Sequence, residues 1–306
     1  MSFARIQMRV TPSIRAFSTS RVLGSDLSYQ VFGPEKEQAS RNPIVFLHGL
    51  FGSKQNNRRF LHVTSNGRST LWSVSQSILR EDGITHDLQD LRNHGHSFHH
   101  KEHNYSIMAK DVEKFIHQHD LAKCVLIGHS MGAKTAMTVA LQSSDLVSAL
   151  IPVDNAPVNA PLKSDFGKYV RGMQEVEAQG VTKQSDADKI LKEYEDSLPI
   201  RQFLLTNLVR AEDSQKMKFR IPLSVLGPAI PAMADFPFRE GSVTYDGPTL
   251  FVRGTKSKYV SDDTVPVIKK FFPNAEIADV EAGHWLISEN PEAFRQAVVK
   301  FLQDLP

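Results

Sequence analysis

The sequence is poor in cysteine. Cys124 stands alone, so no disulfide can close within the chain, and its place at the head of an apolar run reads as that of a small buried hydrophobe. Long apolar runs are also missing: none approaches the roughly 18 residues that a membrane-spanning helix needs, so no span is expected. Net charge is small, +2 from 36 basic and 34 acidic residues, and no basic stripe stands out, which argues against nucleic acid as a partner. Five histidines, His94, His96, His99, His100 and His103, crowd one stretch, but no cysteine or regular carboxylate spacing accompanies them. They read as a solvated loop, and no metal or cofactor is expected.

Acidic residues are absent from the first 25 positions. "MSFARIQMRVTPSIRAFSTSRVLGS" carries Arg5, Arg9, Arg15 and Arg21, and the first carboxylate is Asp26. Arginine, serine and threonine without acids, and without the apolar core of about 7–15 residues that marks a secretory signal, make up a mitochondrial presequence. Residues 1–23 are therefore expected to be a transit segment, with cleavage in "RAFSTS" near Phe17–Ser18, and the chain to reside in mitochondria, with the matrix favoured.

What the sequence does contain is an alternation of short apolar runs with helical patterns. "LSYQVFG" (27–33), "PIVFLHG" (43–49), "CVLIGHS" (124–130), "LVSALIPVD" (146–154), "GPTLFVRG" (247–254) and "AEIADVEAGH" (275–284) read as strands, several buried on both faces. Helices are expected at "IMAKDVEKFIHQH", with Ser106 as cap, and over 131–142 and 291–304, the last opening at Pro291. This is an α/β chain with a mostly parallel sheet and helices on both faces. Residues 157–245 break the rhythm: charged, proline-containing, without clear strands, with helices expected over 184–197 and 200–210. They read as an inserted helical cap dividing the core into 24–156 and 246–306; a second packed layer with no role at a site stays open as the plainer reading.

"VLIGHSMGAKTA" (125–136) puts a serine between two glycines after an apolar run and before a helix. A strand that turns sharply into a helix lifts its turn residue above the sheet, and close packing leaves no room for side chains two places either side. With Gly and Ser each near 7% of residues, a G-x-S-x-G match arises by chance in roughly one 300-residue chain in ten. The flanking strand and helix make Ser130 a much stronger candidate nucleophile than the match alone.

Such a serine needs a base and a group that orients the base. Of twelve histidines, His284 in "AGHW" follows the last strand and precedes the last helix, over the same sheet edge. His129 adjoins Ser130, but the turn aims it elsewhere. Most chains of this plan carry the orienting acid three residues after the glycine closing the penultimate strand; that position is Ser257. Asp154, at the end of "ALIPVD", is the favoured acid. Asp262 and Asp263 remain alternatives, and they also read as a helix cap for "DTVPVIKKFF". The backbone N–H of Leu50 (or Phe51) in "FLHGLFGS", with that of Met131, would form an oxyanion hole.

These segments resemble the α/β-hydrolase fold family, in particular the branch of short bacterial acyl esterases, mitochondrial abhydrolase-domain proteins and fungal ethanol acetyltransferases. "HGLFGSKQNN", "DLRNHGHS" (90–97), "GHSMGAK", "VDNAPVN" (153–159), "RGTKSKYV" and "AGHW" carry the likeness, which runs from about residue 27 to 306. The resemblance implies Ser130, Asp154 and His284 as a triad, and a small ester or thioester as substrate. In some members it implies acetyl transfer from acetyl-CoA, as a substrate, to an alcohol. A catalytically idle interaction protein on the same scaffold and C–C bond hydrolysis are the alternatives; oligomeric state is not indicated. Residues 58–89 depart from the pattern, and "ITHDLQ" alternates poorly for a central strand. That stretch is either a surface insertion or sequence that has replaced the coding sequence of a proper strand.

Overall fold

The computed structural model describes residues 17–19, 26–32, 42–55, 60–63, 69–72, 86–121, 123–160 and 165–305. Its strands are β1 (Phe17–Thr19), β2 (Ser28–Phe32), β3 (Ile44–Leu47), β4 (Phe60–Val63), β5 (Ser69–Trp72), β6 (His86–Asp90), β7 (Cys124–His129), β8 (Val147–Val153), β9 (Leu208–Arg210), β10 (Met217–Phe219), β11 (Thr249–Gly254) and β12 (Ala275–Val280). The helices are α1 (Tyr105–Gln118), α2 (Met131–Gln142), α3 (Phe166–Gln179), α4 (Gln184–Lys192), α5 (Leu198–Leu205), α6 (Leu223–Ala234), α7 (Val265–Phe271), α8 (Leu286–Glu289) and α9 (Pro291–Gln303).

Eight strands join in the order β1-β2-β6-β3-β7-β8-β11-β12. From β6 to β12 every pairing is parallel; β1 and β2 run antiparallel at one edge. β3 and β7 are buried along their whole length, as unalternating apolar runs require when helices cover both faces. Ile44, Phe46, Val125 and Ile127 pack on one face with Phe294 and Val298 of α9. Val45, Leu47 and Leu126 pack on the other with Met108, Val112 and Phe115 of α1 and Ala133 and Met137 of α2. Cys124 is a buried thiol whose Sγ–H donates to Leu146 O at 3.6 Å.

Three local expectations change. The cap of α1 is Asn104, whose Oδ1 accepts the Ile107 N–H at 3.1 Å; Ser106 already lies inside the helix. "ITHDLQ" does supply a strand: β6 pairs with β2 from Ser28–Asp90 to Phe32–His86 and with β3 from Ile44–His86 to Leu47–Gln89. A strand between two partners is held by its backbone ladders, so weak side-chain alternation does not exclude it. Within the rest of 58–89 only the β4–β5 hairpin is described, and the origin of that stretch lies outside the described residues. Of the expected transit segment, Phe17–Thr19 pairs with β2; the remainder of 1–23 is likewise outside them.

Between β8 and β11 the chain forms α3 to α6 over the carboxyl edge. The apolar stretch 200–210 is not one helix: α5 ends at Leu205, and Leu208–Arg210 pairs antiparallel with Met217–Phe219. Three-residue strands are too short to show a period, so their apolar residues merge with those of the helix before them. Among the described residues no helix is long and apolar enough to cross a membrane.

Candidate active site

Ser130 sits between β7 and α2 with φ 54° and ψ −112°. A non-glycine residue there costs about 1–3 kcal/mol, which its surroundings offset. The Ser130 N–H donates to Val153 O at 2.9 Å, and Ser130 O accepts from Asn155 Nδ2 at 3.1 Å. The flanking glycines are steric necessities. A Cβ on Gly128 would lie 2.2 Å from Gly132 O, and one on Gly132 would lie 2.3 Å from Leu47 O. Backbone packs on backbone, and the hydroxyl is lifted above the sheet edge.

His284 lies between β12 and α8. Its Nε2 is 3.0 Å from Ser130 Oγ, and its Nδ1 is 2.6 Å from Asp154 Oδ2. Asp154 follows β8 with φ 51° and is fully buried. Its carboxylate also accepts the Gly254 N–H at 3.1 Å and the Ser257 hydroxyl at 2.5 Å. The position that carries the acid in most chains of this plan is thus occupied by a donor to the acid from the neighbouring strand. With Nδ1–H directed at the carboxylate, Nε2 is left to accept the serine proton. Asp262 turns away: it meets Arg253 Nη1 at 2.6 Å with its side chain mostly in water, and Asp263 is exposed. Neither caps α7, because Asp262–Thr264 forms a 3-10 turn after Ser261 and Thr264 precedes the helix without a side-chain cap bond.

The imidazole is framed by two further rings. Tyr259 stacks on it with centroids 4.2 Å apart. His129, aimed away from the serine as the turn requires, donates its Nε2–H to His284 O at 2.8 Å. Burial, reinforced by the nearby His284, pushes the His129 pKa down to about 4, so that ring is neutral at pH 7.

The loop after β3 is held peptide by peptide. Gly49 O accepts from Gly52 N–H at 2.9 Å and from His48 Nδ1–H at 2.8 Å; His48 takes that tautomer because its Nε2 accepts the Leu91 N–H at 3.0 Å. The Phe51 N–H donates to His94 Nε2 at 3.1 Å, and Phe51 itself has φ 61°. Phe51 N–H is therefore already bonded, which leaves Leu50 N–H as the donor from this loop. The amides of Leu50 and Met131 have no acceptor among the described residues. The loop passes close to the serine, since a Cβ built on Gly49 would stand 3.3 Å from Ser130 Cβ.

The histidine-rich stretch is not simply a solvated loop. His96, His99 and His100 are exposed, whereas His94 and His103 are buried. Burial, with His48 and His103 nearby, holds His94 well below the ordinary imidazole range, which keeps Nε2 free to accept from Phe51. Among the described residues no group of three or more histidines, cysteines or acids is arranged to hold a metal ion.

A cavity of about 690 Å³ opens between core and cap, lined by Gly49 and His129 from the core, Ile200 and Phe203 from the cap, and Trp285 and Ile287 after the histidine; Ser130 and His284 themselves are not in its lining. That size and mostly apolar lining suit a small organic ligand.

An oriented Ser-His-Asp arrangement on a doubly wound sheet defines a class of hydrolytic scaffolds, and comparison agrees. Residues 42–291 match the alpha/beta hydrolase fold family, and the chain belongs to it. Its relatives include the sn-1-specific diacylglycerol lipase ABHD11 of Mus musculus, 37% identical over 281 residues that cover 90% of this chain and 85% of that protein. A probable alcohol acetyltransferase of Saccharomyces cerevisiae is 34% identical over 303 residues, 91% of this chain and 83% of that one. Among solved structures, a marine microorganism esterase superposes with a TM-score of 0.79 at 28% identity, covering 91% of this chain and all of its own. The family is one of hydrolases and acyltransferases.

Sequence reasoning missed the supports. Ser257, Tyr259, His129 and His94 touch the triad residues or the loop beside them, yet only burial and direction, not residue type, mark them out. The one signal was that His94 falls within "DLRNHGHS", a stretch that carries the family likeness.

Proposed function

We propose that the chain is a serine-dependent acyl hydrolase or acyltransferase acting on small carboxylic esters or thioesters. The observation that carries this reading is the hydrogen-bonded series Ser130 Oγ, His284 Nε2, His284 Nδ1 and Asp154 Oδ2. Ser130 attacks the acyl carbon while His284 Nε2 takes its proton, and Asp154 steadies the imidazolium that forms. The carbonyl oxygen gains negative charge and is met by Leu50 N–H and Met131 N–H, the latter at the positive end of α2. His284 returns the proton to the departing alkoxide or thiolate, leaving an acyl-Ser130 ester. Water or an alcohol, deprotonated by the same imidazole, then releases the acyl group as an acid or a new ester.

The likeness to an alcohol acetyltransferase and to a lipase supports both outcomes of that last step, and makes acetyl-CoA a candidate acyl donor. The arginine-rich, acid-free N-terminus supports a mitochondrial location and removal of the transit segment near Phe17–Ser18. The decisive experiment measures acetyl-CoA consumption by the purified protein with and without ethanol, following acetate against ethyl acetate, beside p-nitrophenyl acetate turnover and fluorophosphonate labelling. Ser130→Ala should lose at least about 10⁴-fold in turnover and all labelling. Wild-type protein that neither turns over esters nor labels would point instead to an idle scaffold.

A further inference from the structure

The insertion over the sheet edge meets the loop that carries Leu50 through the edge-on ring contact of Phe166 with Phe51, centroids 5.9 Å apart, and through one buried side-chain amide. Asn207, between α5 and β9, is 3% exposed, and its Nδ2 donates to Phe51 O at 2.7 Å across 156 positions of sequence. Asn207 is itself fixed: its carbonyl accepts the Arg220 N–H at 2.8 Å, and its Nδ2 also lies 3.5 Å from Leu204 O. Three successive peptides of the loop are then held in turn. The 49–50 peptide is held at its oxygen by Gly52 N–H and His48, the 50–51 peptide at its N–H by His94, and the 51–52 peptide at its oxygen by Asn207. The bonds are trans, so fixing a carbonyl oxygen fixes the opposed N–H on the same plane. Of the side chains among these holders, His48 and His94 come from the sheet side and Asn207 from the cap.

We infer that Asn207 is a positioning residue for the acyl-transfer reaction: through Phe51 O it ties the placement of the cap to the direction of the Leu50 N–H. This rests on the reading of Ser130 and Leu50 given above. The backbone at Phe51 is in the left-handed region, φ 61°, and relaxes readily when a bond on either side is removed. Without Asn207 the cap still covers the cavity, but the 51–52 peptide is free to turn and the donor two bonds upstream drifts from the developing oxyanion. A donor misplaced by about 1 Å loses much of its effect in the transition state and little in the ground state. The consequence is a defect in kcat rather than in KM.

The test compares wild type with Asn207→Ala and with Asn207→Asp, which keeps the size of the side chain but replaces its donor group with a carboxylate. Rates with a p-nitrophenyl ester are expressed per active site counted by end-point fluorophosphonate labelling, so that unfolded molecules do not enter. We expect kcat to fall about 10- to 100-fold in both variants, with KM within about threefold and the acid limb of the pH–rate profile unmoved. Wild-type kcat in either variant, or a loss carried by KM, would show that Asn207 only packs the cap and would overturn the inference. A shifted acid limb would place the effect on His284 and overturn it equally. A wild-type protein that fails to turn over or label removes the reading of Ser130 and this inference together, a result distinct from active wild type with indifferent variants.

Discussion

The sheet and the cap contribute to the same site but are fastened in different ways. On the sheet side, Ser130, Asp154 and His284 stand where β7, β8 and β12 end, and Gly128 and Gly132 let one backbone lie directly on the next. On the cap side ring contacts such as Phe166 on Phe51 and Phe203 on Trp285 are joined by a few long-range polar contacts. Lys134 Nζ donates to Val158 O at 2.9 Å, to Ala234 O at 3.0 Å and to Asp235 O at 2.9 Å, gathering the two ends of the insertion onto α2. Tyr105 donates its hydroxyl to Met233 O at 2.9 Å, and Asn207 reaches Phe51. The two Ser130–His284–Asp154 contacts use no cap atom, so their geometry survives changes of cap position, whereas the loop after β3 and the cavity wall depend on both sides.

The strongest way to break that division is at Asp154. Asp154→Asn leaves the size of the side chain but presents an amide to His284 Nδ1, which favours the wrong tautomer. A loss of about 10⁴ in kcat with little change in KM is expected, read by steady-state kinetics on a p-nitrophenyl ester. A loss under tenfold would mean that another carboxylate, with Asp262 the nearest candidate in sequence, can take over, and that the sheet side is less fixed than the distances imply.

A second contrast is electrostatic. All twelve histidines lie outside 157–245, and four of them, His48, His94, His103 and His129, are buried near the site. Burial holds His103 and His129 down to about 4, and it holds His48 and His94 below the ordinary imidazole range as well. Between pH 6.5 and 4 the unfolded chain binds protons that the folded chain refuses. Their neutral burial is therefore fully tolerated above about pH 6.5, and stability is lost as pH falls toward 4. The loss is on the order of 2 kcal/mol per histidine at pH 5 for His103 and His129. Urea unfolding followed by circular dichroism should give a clearly lower midpoint at pH 5 than at pH 7. Equal midpoints would mean that these rings are protonated in the folded core.

The same contrast explains what could be read from the sequence. Runs such as "IVFL" and "CVLIGH" declare strands buried on both faces, and the serine turn declares itself because its glycines are demanded by backbone contact. Asp154 was legible by elimination, since Ser257 cannot bear a charge at the usual position. The cap offered no such constraints. Leu208–Arg210 merged with the end of α5, and Asn207 and Lys134 look like ordinary polar residues until a partner 156 or 101 positions away is in view. "HVTSNGRSTLW" carried no usable pattern at all. Asn104 and Ser106 are both sound capping residues, and only the entering backbone decides between them.

The mildest perturbation acts on the neck of the cap. Lys134 is 3% exposed, and burial pushes its amine down to about 8, against a favourable contribution from Asp235. Three backbone carbonyls use all three of its protons, so a neutral amine could serve only two of them. Lys134→Met keeps the length of the stem and removes every donor. Relief from burying a charge partly offsets the loss of three hydrogen bonds, leaving a net destabilisation of about 1–3 kcal/mol. Proteolysis within 160–234 should speed up in native conditions before the sheet unfolds, because Val158, Ala234 and Asp235 would no longer be tied to α2. Cleavage that begins instead in the core, or a cap no more sensitive than in wild type, would show that apolar contacts such as those of Phe166, Val170 and Leu226 hold the cap without its polar neck.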